Sequence, residues 1–180
     1  MNNGVLFQLS PPLRPRLAWI QTVLFNFSID IPNFSPAAAI SLYSDGVIYG
    51  TVALSTGFGL IQLQPESGAT WTQAVLYTFP PNGTLLSSPL ILRHGNLLGT
   101  TSTITAYGDQ GPGGDVFMLQ KPAASGDPWT EVILDHFEKH DSPHGNIIFD
   151  ANGVIYGTTD KSNTAPNEGY AYQLVLPTAN

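Results

Sequence analysis

Two imidazoles and two carboxylates fall within seven residues of this chain, in Glu138-Lys139-His140-Asp141-Ser142-Pro143-His144. Carboxylate oxygens suit calcium, and imidazole nitrogens suit zinc and its neighbours, so such a group is a candidate site for a divalent cation, calcium or zinc. A cation held there would polarise a carbonyl or phosphoryl oxygen and lower the pKa of its bound water, with a histidine moving the proton. That chemistry is hydrolysis of an ester, a lactone or a phosphotriester in a small-molecule substrate. On this reading His144, His140 and Asp141 are the candidate catalytic residues, and Asp141, His144, Asp160 and Asp109 the candidate metal ligands. His144 carries the most weight. It follows Ser142-Pro143, where two related segments have Ala37 and Leu90, and an imidazole in an apolar position needs a compensating role. The same loop also fits a solvated surface turn, in which case the chain is a non-catalytic binding or scaffold module. His94 lies in a turn and His136 takes the place of Asn26 and Thr78 on an outer strand, so both read as structural or exposed.

Other chemistries lack their residues. There is no Gly-x-Ser-x-Gly elbow, no phosphate-binding loop and no dinucleotide fingerprint. With no cysteine, disulfides and thiolate metal sites are excluded. Six Lys and Arg against 13 Asp and Glu give a net charge of −7, and no basic cluster exists to neutralise phosphates, so nucleic acid is not an expected partner. Acidity is concentrated near the histidines: residues 91–180 hold 10 of the 13 carboxylates. No window approaches the roughly 18 consecutive apolar residues of a membrane-spanning helix.

The elements that must position the candidate residues come from an internal repeat. Three segments align around Trp19, Trp71 and Trp129, spaced 52 and 58 residues apart: Trp-Ile-Gln-Thr-Val-Leu, Trp-Thr-Gln-Ala-Val-Leu and Trp-Thr-Glu-Val-Ile-Leu. A Ser-Pro pair follows each, at Ser35-Pro36, Ser88-Pro89 and Ser142-Pro143. Then come a short apolar run, a turn ending in Gly46, Gly95 or Gly153, and a strand: Val47-Ile48-Tyr49-Gly50-Thr51, Leu97-Leu98-Gly99-Thr100-Thr101 or Val154-Ile155-Tyr156-Gly157-Thr158-Thr159. A fourth element occurs four times, at Gly4–Leu9, Gly59–Leu63, Gly114–Leu119 and Gly169–Leu174. Each element is short, rich in β-branched and aromatic residues, and bounded by Gly, Pro, Asn or Asp, which is the strand pattern. We label the four strands A (after Ser-Pro), B (the Gly-Thr strand), C (the recurring fourth element) and D (from Trp). One Trp per repeat at the same strand position reads as packing rather than sugar stacking.

This succession resembles the bacterial tandem-repeat proteins of the choice-of-anchor or GloVer type, whose repeats carry Tyr-Gly-Thr-Thr, and the resemblance runs over nearly the whole chain. It implies an all-β fold, a β-propeller of four-stranded blades, and a secreted or cell-surface location, but no catalytic residues. The expected organisation is a single repeat domain: a partial blade over about 1–27, blades over about 36–79 and 89–137, and a partial blade over about 143–176. The chain starts in mid-blade without a leader, as a piece of a longer repeat protein would. About three blades cannot close around an axis, so the expectation is a homodimer that closes six, with the mixed blade's C strand drawn from either terminus. In such a ring the D–A and B–C loops converge at one end, bringing His140, Asp141 and His144 towards Asp109 and Asp160.

Overall fold

Residues 4–14, 17–27, 35–36, 40–54, 57–68, 70–80, 84–86, 88–103, 113–124, 126–138, 141–160 and 169–176 are described by a computed structural model. They form four antiparallel sheets and, among the described residues, no helix. The first sheet pairs β1 (Val5–Ser10) with β2 (Ile20–Asn26). The second runs β3 (Ser35–Pro36), β5 (Ile48–Leu54), β6 (Gly57–Pro65), β7 (Trp71–Thr78), with β4 (Ser41–Leu42) also on β5. The third repeats that order with β8 (Thr84–Leu86), β10 (Asn96–Thr103), β11 (Asp115–Gln120) and β12 (Thr130–His136), with β9 (Ile91–Arg93) also on β10. The fourth is β13 (Pro143–Phe149), β14 (Ile155–Thr159) and β15 (Ala171–Leu174). In strand types the sheets are C–D, A–B–C–D, A–B–C–D and A–B–C.

Turn chemistry sets these boundaries. Asp45 Oδ1 accepts the Val47 N–H at 3.1 Å, and Asp150 Oδ1 accepts those of Asn152 and Val154 at 2.9 and 2.8 Å. The third sheet uses a tighter turn, with His94 and Gly95 at φ 49° and 85°, as a two-residue hairpin of right-handed twist requires. Every C–D pairing carries one irregularity at the same place, between Leu6 and Phe7, Leu60 and Ile61, and Val116 and Phe117.

The second and third sheets correct one expectation about strand A. Pro36 and Pro143 lie opposite Val52 and Thr159, but the residue opposite the matching Thr101 is Leu86. Ser88-Pro89 therefore sits three residues further along its strand than the other Ser-Pro pairs, and Ser88 Oγ accepts the Thr100 N–H at 2.9 Å. The strands begin at or before the proline rather than after it. The spacing carries a trace of it: Pro89 stands 10 residues before Gly99, against 14 from Pro36 to Gly50 and from Pro143 to Gly157, and one residue of the difference is the shorter His94-Gly95 turn.

The sheets stack in chain order, each interface filled by one apolar cluster. Leu6 and Phe27 of the first sheet's segment meet Ile48, Val52, Ile61 and Leu63 of the second. Tyr49, Leu60 and Phe79 meet Leu86, Leu90, Leu97, Phe117 and Leu119 of the third, where the Phe79 and Phe117 rings pack edge to face at 5.3 Å. Leu98 and Val116 meet Ile147 and Ile155 of the fourth, with Phe137 edge-on to Tyr172 at 4.8 Å. Trp71 and Trp129 pack against the clusters on the preceding-sheet side, as a packing role requires, whereas Trp19 is exposed.

Equivalent residues differ at the ends of the stack. Phe7, Ile61 and Phe117 directly follow the irregularity of their sheets, and Leu9, Leu63 and Leu119 lie two residues on. Ile61, Leu63, Phe117 and Leu119 are 2% exposed or less, because a preceding sheet covers them; Phe7 and Leu9 are 49% and 51% exposed. On strand B, Tyr49 and Leu98 are buried against the following sheet, while Tyr156 is 36% exposed. His144, Ile148, Thr158, Ala171 and Gln173 share that outer face and are exposed as well.

Candidate functional site

The end of the sheets that carries the D–A and B–C connections is organised by the second Thr of Gly-Thr-Thr. Thr101 Oγ1 accepts the N–H of Asp115, and Thr159 Oγ1 accepts that of Tyr170, both at 3.1 Å. The glycine before each of these C-strand residues lies against backbone: a Cβ on Gly114 would be 1.9 Å from the Thr101 carbonyl oxygen, and one on Gly169 would be 2.0 Å from that of Thr159. No other residue fits there. The D strand closes the same corner, since Phe137 N–H donates to the Gly114 carbonyl at 2.9 Å.

Asp141 joins the third and fourth sheets. Its carbonyl accepts the Gly114 N–H at 3.1 Å, and its Oδ2 accepts the Tyr170 hydroxyl at 2.8 Å. Burial pushes the Tyr170 phenol well above its ordinary value, and the Asp141 hydrogen bond and charge, with Asp135 and Glu138, push it further. A tyrosine pKa raised on folding contributes stability that is present below pH 10 and lost as pH rises through the folded value. Asp141→Asn is therefore expected to bring the Tyr170 titration back towards 10; an unchanged phenolate absorbance titration would contradict the contact.

Of the remaining candidates, His144 and Asp160 lie among the described residues. His144 is exposed on the outer face of β13, opposite Thr158, whose Oγ1 donates to the His144 carbonyl at 3.1 Å. Its supposed counterpart Leu90 corresponds instead to Ile147, since Ile91 and Ile148 lie opposite the matching Leu98 and Tyr156, and both Leu90 and Ile147 are buried. His144 therefore does not stand in place of the buried Leu90. Asp160 is exposed, with its N–H donating to the Ser142 carbonyl at 3.0 Å. His140 and Asp109, like Ala37, lie outside the described residues. Among the described residues no three of His, Asp and Glu come together as a metal site would require.

Sequence reasoning missed a pair that the structure assembles. Asp115 and His136 are cross-strand partners on β11 and β12, and His136 Nδ1 contacts Asp115 Oδ1. The carboxylate orients the ring through Nδ1, and no partner for Nε2 is found among the described residues, an arrangement that can hold a proton or a ligand at that nitrogen. Counting a regular ladder from Phe117 opposite Ile133 sets Asp115 against Asp135; the irregularity between Val116 and Phe117 moves it opposite His136. The equivalent pairs, Val5 with Asn26 and Gly59 with Thr78, carry no charge and so gave no pattern to follow.

No family model, curated protein or solved structure matches the chain.

Proposed function

We propose that the chain is a non-catalytic interaction module: its four sheets act as blades of an arc, two complete and two partial, and a second copy closes the arc into a ring of six. The observation that carries this reading is the exposure of Phe7, Leu9 and Tyr156, whose equivalents in the interior sheets are all buried against a neighbouring sheet. Apolar side chains that recur at a covered position and are bare only at the two ends of a stack favour another such sheet as the covering surface. The partial sheets are complementary, C–D at one end and A–B–C at the other, and a two-fold pair would use each end once.

A hydrolase remains the second reading, favoured by the Asp115–His136 contact and by the Asp141 carboxylate at the same end. Asp141, Asp160, His144 and His140 are the residues that would hold a divalent cation there. Its support is weaker than that of the module, because His144 lies in solvent and the Asp141 carboxylate is engaged by Tyr170. Light scattering at micromolar concentration is expected to give twice the chain mass, with no turnover of an ester, lactone and phosphotriester panel whether or not chelator is added. A monodisperse monomer would remove the ring, and chelator-sensitive turnover lost in His136→Ala would restore the hydrolase.

A further inference from the structure

Resting on the ring-closing reading, we propose that β15 is a stand-in for β1 of the second copy: on association the incoming β1–β2 hairpin displaces β15 and pairs with β14. Phe7 and Tyr172 compete for one place. Tyr172 lies opposite Gly157 as Phe117 lies opposite Gly99, and Phe7 is the equivalent of Phe117 in the first sheet.

Three observations favour the incoming strand. The Tyr172 hydroxyl is buried without a hydrogen-bond partner among the described residues, and its oxygen would stand 2.3 Å from a Cβ on Gly157. Phe7 offers the same ring without the oxygen, as Phe117 does in the complete sheet, so the exchange removes an unsatisfied polar atom. Second, Phe7 and Leu9 are about half exposed and would become covered, whereas β15 gives up only half-buried side chains and the exposed Ala171 and Gln173. Third, β1 pairs with β2 over six residues and Leu6 is already packed into the second sheet, so the hairpin arrives as a unit and supplies the D strand that β13–β15 lacks. The converse exchange, in which β2 alone adds to the free edge of β15, would strip β1 from both contacts. The interaction is strand addition at a sheet edge, made specific by alternate side chains.

The register follows from the complete sheets. Gly157 faces Phe7 of the second copy and Tyr156 faces Gln8, as Tyr49 faces Gln62 and Leu98 faces Met118. The chain has no cysteine, so paired substitutions at exposed sites read the register directly. Directly opposed residues on antiparallel strands lie within disulfide range. Oxidation of the full chain carrying Gln8→Cys and Tyr156→Cys is expected to give a covalent dimer. Thr22→Cys with Gln173→Cys, the pair that β2 addition to β15 would bring together, is expected to stay unlinked. A dimer linked only through the second pair, or a stable dimer linked through neither, overturns the exchange while leaving association intact; a monomer in light scattering overturns both. Tyr172→Phe supplies an independent reading, because removing the orphan hydroxyl improves the stand-in: the dimer dissociation constant is expected to rise about fivefold. An unchanged or lower constant is the contrary result.

Discussion

Phe117→Ala is expected to lower the unfolding free energy by about 3–5 kcal/mol, the range for deleting a buried aromatic ring. Phe117 is fully buried, meets the Phe79 ring edge to face, and lies so close to Gly99 that a Cβ there would be 3.1 Å from its ring. The cavity would open between the second and third sheets, in the cluster that joins the two complete ones. For a chain of this length the melting temperature should fall by roughly 10 °C. Thermal unfolding followed by far-ultraviolet circular dichroism checks it, and a loss below about 1 kcal/mol would mean that the sheets do not stack on this ring.

On the proposed ring, Phe7→Asp is expected to act on association instead, with little effect on the folded chain. Phe7 is half exposed in the single chain, so the substitution removes little packing there, yet at a covered inter-chain site it would set a carboxylate against apolar side chains. Central aromatic anchors of interfaces are worth about 2–4 kcal/mol, so the dimer dissociation constant should rise about a hundredfold. Sedimentation across a concentration series gives the constant, and the melting curve of dilute protein reports the fold separately. A wild-type constant in the variant would show that this face is not the contact. An equal loss of stability in the dilute chain would show instead that Phe7 belongs to the chain's own core.

The two substitutions bear on equivalent residues, and the difference between their outcomes is tertiary. An alignment ranks Phe7 with Phe117 and Tyr156 with Tyr49, since the strand pattern around each is the same. Only the stacking order reveals that a sheet covers one member of each pair and not the other.

The candidate site was legible in part. Asp141 stands out in the sequence by a local concentration of charge, and it does bridge two sheets, but its partner Tyr170 lies 29 residues further along the chain, just before β15. His144 follows Ser-Pro as Leu90 does, an equivalence that holds counted from Ser-Pro and fails counted from the Gly-Thr strand, where Gly157 lies 13 residues on and Gly99 only 9. Nothing in the sequence singles out His136, whose counterparts Asn26 and Thr78 are uncharged, although a cross-strand carboxylate at Asp115 gives it a different environment. A single residue's neighbours in a sheet come from another strand, and they change whenever a turn shortens by a residue.

By itself the sequence determined the all-β class, the strand types and their hairpin order. These follow from local causes: alternation of apolar residues, turn residues able to adopt positive φ, and glycine where strand C passes a backbone carbonyl. Tertiary structure alone decided the Asp115–His136 contact, the exposure of His144 and the bare outer faces of the end sheets. Those depend on which strand lies opposite and which sheet lies beyond, and strands of similar local pattern carry the same signal at a covered position and at an uncovered one.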